Sequence, residues 1–311
     1  MAPRAPAAVT SLPGTPGVYR FRDSGGRVLY IGRATALRSR VGSYWSDLRD
    51  RSHLAPMVAR VARIEAVSCD SPHEAAWLER NLLETSMPAW NRTPGGQEST
   101  VYIRLDGRPA GPGLTVEHLR QPAGRLRYFG PYLGGLRVRQ AVAGLDRILP
   151  LGYAGTRLRG ARLDLARARG HGDADRDALI SAITAVLDRQ TGAVAWAGRE
   201  LDRLRDGAAE TLAFELAARI HAERQALDWV TSPQRVTTMA AADADVYGWA
   251  GGVLVHFAVR GGRLREWSQR RCGRDRAGPR LAGSPAGWAG FARRNAELAA
   301  ALAPGGITRA S

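Results

Sequence analysis

Residues Gly17 to Gly32 read GVYRFRDSGGRVLYIG. This stretch decides the fold of the first third of the chain. Val18 and Arg20 alternate with Tyr19 and Phe21, and Val28 and Tyr30 alternate with Leu29 and Ile31. Period-two alternation around an Asp-Ser-Gly-Gly loop predicts a β-hairpin. With Asp23–Gly26 as the loop, Arg22 lies opposite Arg27, and Tyr19 lies opposite Tyr30. Opposed residues have Cβ atoms about 4.5–5.5 Å apart, so two phenols would share one face. Such a pair is either an ordinary stabilising aromatic contact or part of a site, and the residues that follow bear on the choice.

After Gly32, Leu37, Val41 and Tyr44 recur at three- and four-residue steps, which predicts a helix over about 35–44. Arg33, Leu37, Arg40 and Tyr44 then lie along one stripe. Ile64–Cys69 reads as a third strand. Ser71-Pro72 is a helix start, with Ser71 as N-cap and Pro72 at the first helical position. In the helix that follows, Glu79 falls on the apolar stripe with Ala76 and Leu83, while Glu74 and Glu84 fall nearer the polar side. A carboxylate on that stripe is costly unless it is paired, reaches water or holds a metal. The segment closes on Asn91.

Composition bounds the partners. The chain has 311 residues, 44% of them hydrophobic, and carries a net charge of +16. That balance favours a polyanion, nucleic acid above all. Every one of its 45 basic residues is Arg, and Arg cannot act as a proton acceptor. Two cysteines, Cys69 and Cys272, are too few for a disulfide framework and fit a reducing cytoplasm. No secretion signal or run of 18 apolar residues is present, so no membrane association is expected. Met1–Thr10 reads as disordered.

Gly17-Val18-Tyr19, Tyr30-Ile31-Gly32, Arg40 with Tyr44, Glu79 and Asn91, in this order and spacing, resemble the GIY-YIG nuclease family, in particular its UvrC type. The resemblance implies that Tyr19 and Tyr30 are the active-site tyrosines and that Gly32 is the family glycine. It makes Arg40 and Tyr44 the phosphate-side pair, Glu79 the single metal-ligand carboxylate, and Asn91 the terminal asparagine. Arg33 stands where the family usually has Lys; it supplies charge but cannot take a proton. One carboxylate suits one Mg²⁺ or Mn²⁺ that keeps several waters and binds substrate phosphate. Phosphodiester hydrolysis also needs a proton acceptor and positive charge on the phosphoryl oxygens. Either Tyr30 or Tyr19 is the expected acceptor, with its pKa lowered by Arg33, Arg40 and the metal.

Further along, Val101–Leu105 reads as a strand and Leu136–Leu149 as a helix. Tyr128-Phe129-Gly130-Pro131-Tyr132, which the family shares, is either a surface stacking on DNA or a packed aromatic turn. The family's cysteine cluster past Pro150 has no counterpart here, so no iron–sulfur cluster is expected. His171 is read as solvated. Ala193–Val230 reads as two helices linked at Asp206-Gly207 and resembles the UVR motif, through which the family docks to UvrB; the alternative is a hairpin packed on the nuclease domain. Asp245–Leu264 reads as two strands joined by Gly251-Gly252 and followed by a second Gly-Gly turn. It resembles the opening of the family's RNase H-like domain, without the rest. Asp245 has no partner carboxylates and is given no role. One more helix is expected over Trp288–Leu302, within an Arg/Gly/Ala-rich tail.

The expected fold class is α/β in the α+β sense. It comprises a GIY-YIG domain at 11–93, with a small antiparallel sheet flanked by helices, and a middle region at 94–190. A UVR-like helical hairpin follows at 191–235, and an incomplete β-containing segment at 236–311. The expected function is a cytoplasmic DNA endonuclease of nucleotide excision repair that nicks one strand of damaged duplex DNA on the 3′ side of a lesion with a UvrB-like partner. The rivals are a non-cleaving DNA- or UvrB-binding regulator and a mobile-element or structure-specific nuclease on the same domain.

Overall fold

The computed structural model describes residues 6–46, 48–91, 99–108, 111–154, 160, 164 and 175–303, with backbone alone at 49 and 50. His171 and the tail beyond 303 lie outside these residues. The chain divides into two compact units, one built from residues 1–97 with 233–311 and the other from 98–232.

The first unit begins with a three-stranded antiparallel sheet in the order β2-β1-β3. Its strands are β1 (Gly17–Arg22), β2 (Val28–Ala34) and β3 (Arg63–Ser68). Helices α1 (Leu37–Ser46), α2 (Ala55–Val58) and α3 (Pro72–Thr85) flank it. Residues 6–10 are not disordered; Ala7–Val9 form a 3₁₀ turn, and Val9 is buried in the core.

The hairpin register differs from expectation. Tyr19 pairs with Gly32, and Tyr30 pairs with Phe21. Two one-residue irregularities cause this. Gly26 takes φ +82° and Asp23 closes on Arg27, so the loop is three residues, not four. A bulge then falls beside Phe21/Arg22. Two single shifts preserve the face, so Tyr19 and Tyr30 still lie on one side of the sheet, but diagonally.

That face packs on α1 through Tyr19, Phe21, Leu37, Val41, Tyr44 and Trp45. The helix starts at Leu37, two residues later than expected, and Arg33 belongs to β2. The opposite face meets α3. Ser71 caps this helix by accepting from the Glu74 N–H at 3.0 Å. Glu74 is fully buried, contrary to the polar-side reading. Its carboxylate accepts from the Asp70 N–H at 2.6 Å and the Arg235 N–H at 2.9 Å. The helix is covered on more than one side, so a single apolar stripe does not describe it.

Residues 233–303 complete this unit. A three-stranded meander runs through β7 (Ala244–Ala250), β8 (Val253–Arg260) and β9 (Arg263–Arg271). Its two-residue turns, Gly251-Gly252 and Gly261-Gly262, all have positive φ. Two helices follow where an Arg-rich tail with one helix was expected; they are numbered α8 (Arg274–Ala282) and α9 (Ala289–Leu302) after the helices of the second unit. A Cβ at Gly248 would lie 2.1 Å from the Ala292 carbonyl, so α9 sits backbone-close on β7. From β1, Arg20 donates to the Trp267 carbonyl at 2.8 Å and stacks on the Trp267 ring at 3.9 Å. Arg20 also pairs with Glu65, which Arg22 and Arg63 reach as well. Burial raises the Glu65 pKa, and the Arg20 and Arg22 guanidiniums outweigh it, so the group stays ionised.

Both edges of the β2-β1-β3 sheet are closed by asparagine amides. Asn91 bonds both backbone groups of Ile31 on β2, at 3.0 and 2.8 Å. Asn295, on α9 and 1% exposed, bonds both backbone groups of Ser68 on β3, at 2.7 and 3.2 Å. Each amide takes the place of a neighbouring strand.

In the second unit, β4 (Thr100–Asp106), β5 (Leu114–Glu117) and β6 (Leu126–Leu133) form a sheet of order β5-β4-β6. Helices α4 (Gly135–Ile148), α5 (Arg176–Leu187), α6 (Thr191–Glu210) and α7 (Phe214–Thr231) follow. The Tyr128–Tyr132 segment is part of β6, not a turn, and its three aromatics are buried, which removes the DNA-stacking reading. The α6–α7 link lies at Thr211–Ala213, with Leu212 at φ +58°; Asp206 and Gly207 stay helical. The hairpin packs on α4, where Arg147 pairs with the buried Glu223.

Candidate active site

The site is organised by a glycine. Gly32 sits directly across from Tyr19, and a Cβ there would lie 2.5 Å from the Tyr19 hydroxyl and 2.7 Å from the Tyr30 ring. No side chain fits at this position, and the two rings occupy the space. Tyr44, from the second half of α1, completes a triangle. Ring centroids are 6.2 Å apart for Tyr19–Tyr30, 5.9 Å for Tyr19–Tyr44 and 6.1 Å for Tyr30–Tyr44. The Tyr19 and Tyr44 hydroxyls share a hydrogen bond of 2.8 Å. Phe21 backs the cluster, 5.0 Å from Tyr44.

Cations border the phenols. The Arg40 guanidinium lies 5.7 Å from the Tyr44 ring centroid, and that of Arg51 lies 4.7 Å from it. Arg51 was not singled out by sequence. It follows Tyr44 through an irregular 3₁₀ segment with no periodic signal. Its guanidinium donates to Ser43 Oγ at 2.9 Å.

Tyr19 and Tyr30 are not acidified. Burial, then the Tyr44 and Tyr30 phenols, hold the Tyr19 hydroxyl well above its ordinary pKa. Burial also raises Tyr30, followed by Tyr44 and by the nearby Glu79 carboxylate; Arg40 pulls down and loses. The expected lowering by the arginines is therefore reversed within the protein itself. Tyr30 is half-buried and Tyr19 fully buried, so Tyr30 is the phenol that meets water.

Glu79 approaches from α3. Its Oε1 accepts the Arg33 N–H at 3.1 Å, which fixes the carboxylate at the end of β2. Its Oε2 lies 3.4 Å from Arg33 Nε, and the side chain is 20% exposed. It lies at the edge of the helix's buried face. Among the described residues no group of three His, Cys, Asp or Glu could hold a metal. A lone, partly exposed carboxylate fits one hard cation that keeps most of its waters, and it fits no all-protein cage. The Arg33–Glu79 contact is longer than a close charge-assisted bond, and a cation would compete with it. Asn91 does not reach into this cluster through its amide; it acts on the backbone of Ile31, beside Tyr30.

The sequence model of the UvrC-like GIY-YIG domain matches residues 15–92. Residues 15–92 are a UvrC-like GIY-YIG domain. Homology extends further. UvrABC system protein C of Mycobacterium marinum is 34% identical over 274 residues, covering 82% of this chain and 42% of that protein. That of Symbiobacterium thermophilum is 32% identical over 277 residues, covering 81% and 42%. The chain thus spans about two fifths of the length of these relatives. A crystal structure of the GIY-YIG N-terminal endonuclease domain of UvrC from Thermotoga maritima, bound to its catalytic magnesium, is 27% identical. It aligns with 28% of this chain and 99% of that one, with a TM-score of 0.24. Among the described residues no helix is long and apolar enough to cross a membrane.

Gly32→Ala should displace the Tyr19 ring and break the Tyr19–Tyr44 hydrogen bond. Overpacking of this kind costs about 1–3 kcal/mol. Thermal unfolding should show a stability loss in that range, together with altered tyrosine near-UV dichroism. An unchanged spectrum and midpoint would mean the rings do not rest on Gly32.

Proposed function

We propose that the chain is an Mg²⁺- or Mn²⁺-dependent DNA endonuclease of nucleotide excision repair. It incises one strand of a damaged duplex, on the 3′ side of the lesion, with a UvrB-like partner. The supporting observation is the convergence of three phenols, Arg40 and a single exposed-edge carboxylate around Gly32, in a chain of charge +16. Glu79 would hold the cation, which supplies positive charge at the scissile phosphate. Arg40, bordering Tyr44, provides further charge for the phosphoryl oxygens. Arg33 keeps Glu79 at the end of β2 and adds a fixed positive charge. Tyr30, the phenol that meets water, is the proton acceptor. Tyr44, hydrogen-bonded to the Tyr19 hydroxyl and 6.1 Å from the Tyr30 ring between centroids, orients it. Asn91 and Gly32 position β2 beneath them.

Docking of a UvrB-like partner has its own support in the α6–α7 hairpin, within Ala193 to Val230. Leu212 and Phe214 are 72% and 64% exposed, and Leu216, two residues beyond Phe214, is 39% exposed. Adjacent large apolar side chains left in solvent mark an interaction surface.

A second reading, a regulator that binds DNA or the partner without cutting, is favoured by one observation. Arg33 already pairs with the carboxylate that a cation would use.

Glu79→Gln should cut the rate of Mg²⁺-dependent nicking of damaged plasmid, with UvrA and UvrB present, by at least about 100-fold, while duplex affinity holds. Nicking that survives this change would contradict the Glu79 assignment. A wild-type chain that binds damaged duplex but nicks with neither Mg²⁺ nor Mn²⁺ would establish the regulator. Phe214→Ser with Leu216→Ser should abolish co-elution with UvrB without loss of helicity, since both side chains lie in solvent. Unchanged co-elution would remove the docking role.

A further inference from the structure

The positive charge of the first unit is unevenly neutralised. Arg20, Arg22 and Arg63 share Glu65; Arg263 and Arg265 share Glu84; Arg260 pairs with Asp245. Along the end of β9 and through α8, the arrangement changes. Arg270, Arg274, Arg276 and Arg280 are all exposed, and none of the four pairs with a carboxylate among the described residues.

The fold gains little from these four. Of the nine residues of α8, Ala277 alone is buried, and Pro279 lies inside the helix. Arg274 occupies the first helical position, where the partial positive charge of the helix end disfavours a cation. Local structure that conflicts with stability points to a use outside the fold.

Two of the four are nonetheless held in place. The Arg274 guanidinium lies 5.9 Å from the Trp249 ring, and that of Arg280 lies 5.9 Å from the Tyr247 ring. Both aromatics are half-buried on the outer face of β7. The ends of α8 are tied to the same strand. Trp249 Nε1 donates to the Cys272 carbonyl at 2.7 Å, and the Tyr247 N–H donates to Ser284 Oγ at 2.7 Å. Arg270 stands in the same cross-strand row as Trp249, joined to it through Leu254. An arginine seated on an aromatic ring keeps its full charge and its donors, and has less side-chain freedom left to lose on binding.

We propose that Arg270, Arg274, Arg276 and Arg280 form a docking surface for the phosphate backbone of duplex DNA, outside the tyrosine site. The choice of duplex rests on the endonuclease reading. A cluster of exposed guanidiniums, two of them seated on aromatic rings, matches phosphates without reading base sequence. The surface would hold the flanking duplex while β2 and α3 act on one phosphate.

The test uses the full chain and a labelled undamaged duplex, with affinity measured over a salt series. Removing one cation that neutralises a phosphate makes the log–log salt slope shallower by about 0.9. Arg274→Gln with Arg276→Gln and Arg280→Gln should therefore make it shallower by about two to three, while the corresponding triple Lys variant keeps the wild-type slope. Circular dichroism establishes that the variants are folded. If the Gln variant does not fold, Arg270→Gln alone should make the slope about 0.9 shallower. An unchanged slope in a folded Gln variant would overturn the proposal, as would an equally shallow slope in the Lys variant, which keeps the charge. Nicking is scored separately. Wild-type binding that depends on these arginines without any nicking would sink the endonuclease reading alone. Glu79-dependent nicking with an unchanged slope would sink the docking surface alone.

Discussion

The site depends on the absence of one side chain. Gly32 lies under Tyr19 and against Tyr30, and the space a methyl group would fill is taken by the two rings. Their closeness to each other and to Tyr44 follows from that packing, as does the bond between the Tyr19 and Tyr44 hydroxyls. The strand carrying Gly32 is held from its open edge by Asn91. Glu79 binds the backbone N–H of the very next residue. The phenols, the carboxylate and the clamping amide are therefore all referenced to a few residues of β2.

The lack of lysine shapes the electrostatics. Each permanently charged basic side chain in the chain is a guanidinium, able to bind a carboxylate with two donors. In the interior this favours networks such as Arg20, Arg22 and Arg63 around Glu65, which join β1 to β3 and, through Trp267, to β9. At the site it places the burden of proton acceptance on oxygen. Tyr19 and Tyr30 are poor acceptors at neutral pH as they stand, because burial and the crowding of the phenols raise them. In the proposed reaction, proton transfer to Tyr30 would have to be driven by the charge that a bound substrate and cation bring.

Much of the site was legible in the sequence because it is local. Tyr19, Tyr30 and Gly32 sit in a period-two pattern, and Ser71-Pro72 marks the start of the helix that carries Glu79. The register was missed because the Gly26 turn and the bulge beside Phe21 each shift it by one residue, and neither leaves a composition signal. The face of Glu74 on α3 was misassigned for a different reason, while Glu84 is exposed as expected. The helix is covered both by the sheet and by residues 233–237, which bond Ser71, Glu74 and Asn81. The Ser71-x-x-Glu74 spacing was the available clue that Glu74 turns inward to cap. Arg51 and Asn295 were not legible. The first lies in an irregular segment, and the second arrives at β3 from more than two hundred residues away.

The most direct test of this account is a carbon-13 titration of the tyrosine rings in the metal-free protein, with Tyr19→Phe and Tyr30→Phe used for assignment. The Tyr19 and Tyr30 signals should stay unshifted up to about pH 10, where exposed phenols ionise. A Tyr30 signal that titrates at about pH 8 or below would contradict the claim that burial over Gly32, not the neighbouring guanidinium, sets the state of these phenols.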